Sequence, residues 1–500
     1  MKKLFFYTVI PVVMLLLVGC SDNDNDSNNG NKEPDNQNSN EILVAETDSL
    51  RFQPEDYISI ANNGRWENEE GWDFTPFVTN FFRALVKVQK RNYSSFIAAQ
   101  TPALDQLFEA EAGLNKQKDH CWQMESYGFN YRSKSARGED VLLSGRVTFP
   151  NHKTKGIGHQ VKTLTLSMHQ ALADLSMSPS QVVDMWTLRA LFNEAVIQPD
   201  GQGMGANLDK DFYCTVSPNV LARQMADCTQ AALEVMRQHG VTLAADGHTI
   251  CTGCSLGAAV PLSFAKYYET EASASFRQAV RLSTVYTGYG PVDFEACIRY
   301  FSDHPEFNAM LSKTIVFSLA ALSSEQLYGY QAQDFVNPNL LNTQVEYNGR
   351  TMSYYEAEAK YFVNVVGIYK SFPNVKKFSE IIAPDLLGRD GKLDGTNPKT
   401  QALLRILDEQ GNLSGWLPTT EIYMLHGLYD DGIPVENARK CYQALSNGGV
   451  MPNVHYQEVS TLPILSQLAS LPKAGIMHLV TTMSFQDFYL KEDPSQEFKN

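Results

Sequence analysis

The sequence is short of positive charge. Its 41 Lys and Arg stand against 56 Asp and Glu, a formal net charge of −15 at pH 7. A chain that neutralises phosphates needs basic stretches, so nucleic acid is excluded as a partner, and so is electrostatic docking on an anionic membrane surface. Long apolar runs are missing beyond a single N-terminal stretch, which excludes a polytopic membrane protein. No self-similarity recurs at the roughly 20- to 50-residue periods of solenoids and propellers. Of eight cysteines, Cys251 and Cys254 form the one C-x-x-C, with no second such pair and no neighbouring His pair. Zinc and dithiol redox sites want that second half, so these two read as packing residues and neither a metal nor a cofactor is expected. What is present is 43% apolar and 19% charged residue over 500 positions. That supports a sizeable core but exceeds one compact unit: either several folding units, or one large domain with insertions.

The N-terminus carries processing information. Met1-Lys2-Lys3 is a basic n-region, and residues 4–18 form an apolar segment too short to span a bilayer comfortably. The segment closes on Leu17-Val18-Gly19-Cys20, which resembles the lipobox of bacterial lipoproteins. The resemblance implies a signal peptide over 1–19, cleavage before Cys20, and lipidation of that cysteine as the membrane anchor. With Cys20 so used, seven cysteines remain, and at least one thiol stays free. Residues 21–40 contain no aliphatic or aromatic side chain and cannot offset ordering entropy by burial. A disordered acidic tether over 20–40 is expected, holding the body roughly 25 Å from the membrane. The acidic run after the cysteine looks like the export tag of lipoproteins displayed on the outer-membrane surface. A tether facing the periplasm is the alternative.

Residues 41–120 read as a mostly helical N-terminal extension, with periodic apolar positions through Phe77, Phe81, Phe82 and Leu85. The period then changes to two: residues 126–131 and 141–149 look like strands of an antiparallel hairpin turned at 136–140. From there strands alternate with helices, at 162–168, 195–198, 249–252, 280–286, 421–425 and 454–459. Ser217-Pro218 opens one helix as N-cap and N1 proline, and Gly240 stops it. This rhythm implies an α/β architecture, a mostly parallel sheet with helices on both faces. Between the core segments 121–293 and 417–500, residues 294–416 break the rhythm and are rich in Tyr and Phe. Tyr355, Ala359, Phe362, Val366 and Tyr369 keep helical spacing, so this segment reads as an inserted helical cap.

Gly253-Cys254-Ser255-Leu256-Gly257 is G-x-S-x-G between a short apolar strand and a small-residue helix. That strand–turn–helix setting is what a nucleophile elbow needs, with the serine in a strained conformation. Such a serine needs a base, and the base an orienting acid. His426-Gly427-Leu428-Tyr429-Asp430-Asp431-Gly432-Ile433-Pro434 looks like the H-G-x-x-D-x-x-V-P segment of α/β-hydrolases. It places Asp430 in the acid position, with Asp431 as the neighbour that could be confused with it. Two histidines lie downstream. His455 alternates within a strand, whereas His478 sits at a loop–helix junction from which an imidazole can reach back, so His478 is the expected base. The backbone N–H of Leu256 is one expected oxyanion donor. The second should follow strand 164–168, at Gln170 or Ala171. Many relatives carry His-Gly there; this chain has His169-Gln170, and His169 reads as structural.

The chain therefore resembles an α/β-hydrolase of the secretory-lipase and prolyl-oligopeptidase-like branch, from about residue 126 to 490. The motifs are Ser144-Gly145-Arg146-Val147-Thr148-Phe149-Pro150, Pro199-Asp200-Gly201-Gln202-Gly203, the elbow, Gly290-Pro291-Val292-Asp293, and Trp416-Leu417-Pro418 leading into His426-Gly427. The resemblance implies a serine hydrolase acting through an acyl-enzyme on Ser255. The expected substrates are carboxylic esters of small-molecule, glycan or lipid origin. Of the cap aromatics Tyr300, Phe301, Tyr354, Tyr355, Tyr361 and Phe362, most are expected to form cap core and a few to face the serine and shape an apolar acyl or aryl pocket. A serine peptidase, a glycan-binding surface lipoprotein and a silent scaffold are the rival classes. Fold alone does not choose the substrate.

Overall fold

The computed structural model describes residues 45–52, 124–150, 160–169, 178–180, 189–190, 194–307, 310–347, 349–361, 377–411, 413–446, 448–449, 451–459, 478 and 498. The expectations for the signal peptide, Cys20, the tether, Gln170, Ala171 and Phe362 lie outside them. Eleven described strands are β1 (Ala45–Phe52), β2 (Met124–Lys134), β3 (Asp140–Pro150), β4 (Gln160–Met168), β5 (Glu194–Pro199), β6 (Thr242–Cys254), β7 (Leu282–Gly288), β8 (Gln344–Tyr347), β9 (Arg350–Ser353), β10 (Glu421–Gly427) and β11 (Val454–Val459). Nine of them form one sheet in the order β1-β2-β3-β5-β4-β6-β7-β10-β11. The first four neighbours pair antiparallel, and from β5 through β4, β6, β7 and β10 to β11 the sheet is parallel.

Parallel strands are covered on both faces and must be apolar on both. Leu164, Leu166, Ile197, Cys251, Val285 and Ile422 accordingly lie at or near zero exposure. Each such aliphatic side chain contributes about 1.5–3 kcal/mol of burial free energy. Helix α1 (Pro218–Gln238) follows Ser217 with proline at its first turn, as the sequence predicts, and buries Leu221, Met225, Ala232 and Val235 against the sheet. Helices α2 (Ala259–Thr270) and α3 (Ala274–Val280) link β6 to β7.

The cap leaves after β7. Its described elements are α4 (Phe294–Asp303), α5 (Met310–Tyr328), α6 (Pro338–Asn342), the β8–β9 hairpin, α7 (Tyr354–Tyr361) and α8 (Pro398–Gly411); α9 (Val435–Leu445) then follows β10 in the core. The chain re-enters the core at Glu269, at the end of α2. Its carboxylate accepts from Trp416 Nε1 at 2.8 Å and from the backbone N–H of Thr419 and Thr420 at 2.9 and 2.8 Å.

Two strand pairings fall in segments expected to be mostly helical. The extension over 41–120 is not helical where it is described: β1 pairs antiparallel with β2, from Ala45 opposite Asn130 to Phe52 opposite Met124. An edge strand draws its hydrogen bonds from a distant partner, and local periodicity does not report that. In the cap, β8 and β9 add a two-stranded hairpin beside the described helices.

Candidate active site

Strand β6 ends at Cys254 and the chain turns at once through Ser255, whose φ is +50°. A non-glycine residue held in that left-handed region costs on the order of 1–3 kcal/mol and persists only where its surroundings enforce it. The surroundings are crowded. A Cβ added to Gly257 would lie 2.4 Å from the carbonyl oxygen of His169, at the end of β4. One added to Gly290, just past β7, would lie 1.9 Å from the carbonyl oxygen of Ser255. The elbow is thus wedged between the C-terminal ends of two neighbouring strands, and both positions admit only glycine.

The candidate acid comes from the loop after β10. Asp430 Oδ1 accepts the backbone N–H groups of Gly432 at 2.8 Å and Ile433 at 2.9 Å. Its carboxylate faces His478 Nδ1, at 3.0 Å from Oδ2 and 3.2 Å from Oδ1. The far side of the same ring closes the chain of contacts: His478 Nε2 lies 2.8 Å from Ser255 Oγ. With Nδ1–H donated to Asp430, the Nε2 lone pair faces the serine hydroxyl. Burial acts to raise the pKa of Asp430, but the charge of His478 and its hydrogen bond outweigh it, and the carboxyl titrates below its usual value. For His478 burial works downward, yet the charge and hydrogen bond of Asp430, with Asp431 behind them, carry the net shift upward.

Ser255, Asp430 and His478 are therefore brought together, although 223 and 48 residues separate the hydrogen-bonded pairs. His455 is not: it stays in β11, where its ring stacks on Tyr423 at 4.5 Å and its Nε2 lies 3.1 Å from Glu421 Oε2. Asp431 does not hold the imidazole; its Oδ1 accepts the backbone N–H of His478 at 3.0 Å. Leu256 follows the serine with its side chain buried, and its carbonyl accepts from Thr215 Oγ1 at 3.3 Å. His169 has the structural setting expected of it: Nε2 donates to the Asp200 carbonyl at 2.9 Å and the ring stacks on Tyr213 at 5.8 Å. Cys251 and Cys254 are buried thiols whose pKa values burial pushes up, which suits packing and disfavours a reactive thiolate.

Several supporting residues lie in or beside the motifs, but their partners come from the tertiary fold. Asp200 is fully buried, and burial raises its pKa. It accepts from Ser144 Oγ at 2.5 Å, from the Ser180 backbone N–H at 2.8 Å and from the Ser180 hydroxyl. Its own carbonyl holds His169, so the network braces the end of β4 beside the elbow. Asn437, on α9, links two loops: Oδ1 accepts the N–H of Val292 at 2.9 Å, while Nδ2 donates to the Pro434 carbonyl at 2.5 Å. His426 Nε2 donates to the Ile433 carbonyl at 3.1 Å and closes the acid loop on itself.

None of Ser255, Asp430 and His478 lines the cavity described between core and cap. A cavity of about 230 Å³ at the seam of core and cap is lined by polar groups, among them Asp209, Asp211, Arg350 and Lys360. Of the described cap aromatics named above, Tyr361 lines it, with its hydroxyl on Asp209. Phe301 packs on Phe307 and Phe378 within the cap, as expected of a cap-core aromatic.

No protein-family model matches the chain, and no curated protein matches it. Solved structures do. The rice cell wall degrading esterase LipA from Xanthomonas oryzae superposes with a TM-score of 0.57 at 16% identity, covering 76% of this chain and 92% of that one. A protein of Legionella pneumophila, itself only provisionally described as a hydrolase, gives 0.55 at 18%, covering 77% and 95%. The chain has the α/β-hydrolase fold, as its motifs imply.

Proposed function

We propose that this chain is a serine hydrolase that cleaves carboxylic esters through an acyl-enzyme on Ser255. One observation carries the reading: Ser255 Oγ, His478 and Asp430 form a continuous hydrogen-bonded series, with the serine in a left-handed turn at a parallel strand's end. In this reading His478 Nε2 takes the hydroxyl proton as Ser255 Oγ attacks the ester carbonyl, and Asp430 stabilises the imidazolium that forms. The oxyanion is met by the N–H of Leu256 and by a second donor from the loop after β4, for which Gln170 is the candidate. His478 then returns the proton to the departing alcohol, and a water activated by the same ring releases the acid. None of these steps calls for a cofactor. Esters are favoured over peptides because the structurally similar Xanthomonas protein is named an esterase. Ser255→Ala should abolish hydrolysis of nitrophenyl esters with an unchanged circular dichroism spectrum. A wild-type protein that prefers amino-terminal dipeptide nitroanilides contradicts the ester assignment.

We further propose, from the N-terminal sequence, that Cys20 is lipidated and that the acidic tether displays the enzyme on the outer-membrane surface. Cys20→Ser should release a soluble chain, and continued membrane retention contradicts the anchor.

A further inference from the structure

Resting on the serine-hydrolase reading, we propose that Asp431 is a positioning residue: its carboxylate fixes the main chain of His478 while Asp430 fixes the ring. The two carboxylates are consecutive in sequence and grip the same histidine at different places. Asp430 reaches the side chain, at Nδ1. Asp431 reaches the backbone, accepting the His478 N–H through Oδ1 at 3.0 Å. A hydrogen bond to one ring nitrogen leaves the imidazole free to swing about that contact, and a second point of attachment removes the freedom. The 2.8 Å separation of Nε2 and Ser255 Oγ depends on that freedom being removed.

The surroundings of Asp431 argue against an idle surface carboxylate. Burial and the neighbouring charge of Asp430 work against its ionised form, and its pKa is pushed up to about 6. A carboxylate at such a site is explained by the need for an acceptor, and the one it serves among the hydrogen bonds above is the His478 N–H. The roles do not interchange. Asp430 is already committed to the N–H groups of Gly432 and Ile433, whereas Asp431 makes a neutral demand, a carbonyl-type oxygen at Asp length, which Asn also meets.

The test compares Asp431→Ala with Asp431→Asn in the full chain, on a nitrophenyl ester at a pH well above the histidine titration. Asp431→Ala should lower kcat by about 100-fold, the scale of an ångström-sized misplacement, with KM little changed. Asp431→Asn, which keeps the acceptor, should restore most of kcat. Amide exchange at His478 should quicken in Asp431→Ala and stay slow in Asp431→Asn, and it can be read in a Ser255→Ala background without turnover. Equal losses in both variants, full activity in Asp431→Ala, or unchanged exchange there overturn the proposal. A wild-type chain left unlabelled by a fluorophosphonate overturns the serine-hydrolase reading and this proposal together. Labelling with unchanged His478 exchange in Asp431→Ala overturns the positioning role alone.

Discussion

The two halves of the candidate site are held by different forces. The proposed nucleophile is fixed by steric crowding: Ser255 sits at the end of a buried parallel strand, with neighbouring backbone pressed against Gly257 and Gly290. The proposed acid and base are fixed by side-chain hydrogen bonds: Asp430 to three groups, Asp431 to the His478 backbone, Asn437 and His426 to the loops around them. Crowding is stiff and all-or-none, because packed interiors give way only by shifting backbone. Hydrogen bonds are removable one at a time, each for a modest net cost of roughly 0.5–1.5 kcal/mol. Substitutions at the elbow should therefore strain the fold, and substitutions in the acid–base loops should impair chemistry while leaving the fold standing.

The largest effects sharpen that contrast from the loop side. His478→Ala should cost kcat on the order of 10⁶-fold, as much as Ser255→Ala, because the members of such a series act as a unit. The thermal midpoint should barely move, and a large fall in it would break the contrast. Asp430→Asn should cost about 10⁴-fold, since the amide offers the imidazole the wrong hydrogen-bonding partner. If Asp431→Asn proves the more damaging of the two, the assignment within the loop is wrong.

From the elbow side, Gly257→Ala places a methyl group against backbone that cannot rotate away. It should lower stability by about 1–3 kcal/mol, read by denaturant unfolding, with activity falling alongside. A Gly257→Ala protein that unfolds like wild type contradicts the steric account. The smallest expected effect is on pH dependence. His478 must be neutral to accept a proton, and its pKa is raised in the folded chain, mainly by Asp430 against the opposing effect of burial. Activity should fall on acidification at a pH above the ordinary histidine pKa. Removing a nearby negative charge, as in Asp431→Asn, should move that limb toward lower pH in a kcat/KM profile.

The same division explains what was legible in the sequence. Ser255, Asp430 and His478 could be found because each carries a local signal: an elbow between strand and helix, an acid at fixed spacing after a strand, and a histidine at a loop–helix junction. The alternation of strands and helices likewise foretold the parallel sheet. Ser144, Asp200 and His426 stand in recognised motifs, but nothing local gives the supporting residues their partners. Asp200 meets Ser144 and Ser180 across 56 and 20 residues, and Asn437 meets Val292 across 145. Their polar partners are set by the tertiary fold, and no periodicity records them. Strand β1 belongs to the same class, its register fixed by β2 some eighty residues on. The β8–β9 hairpin is a different case. Asn348-Gly349 is a strong hairpin dipeptide between alternating residues, but the helical spacing of Tyr355 and Ala359 beside it dominates the pattern.

The central claim is that Ser255 is an activated nucleophile, and mass spectrometry after fluorophosphonate labelling tests it most directly. The account predicts one covalent adduct per chain, on the peptide containing Ser255, formed by wild type and lost in His478→Ala. An adduct on another residue, or one formed on Ser255 equally well without His478, would contradict it.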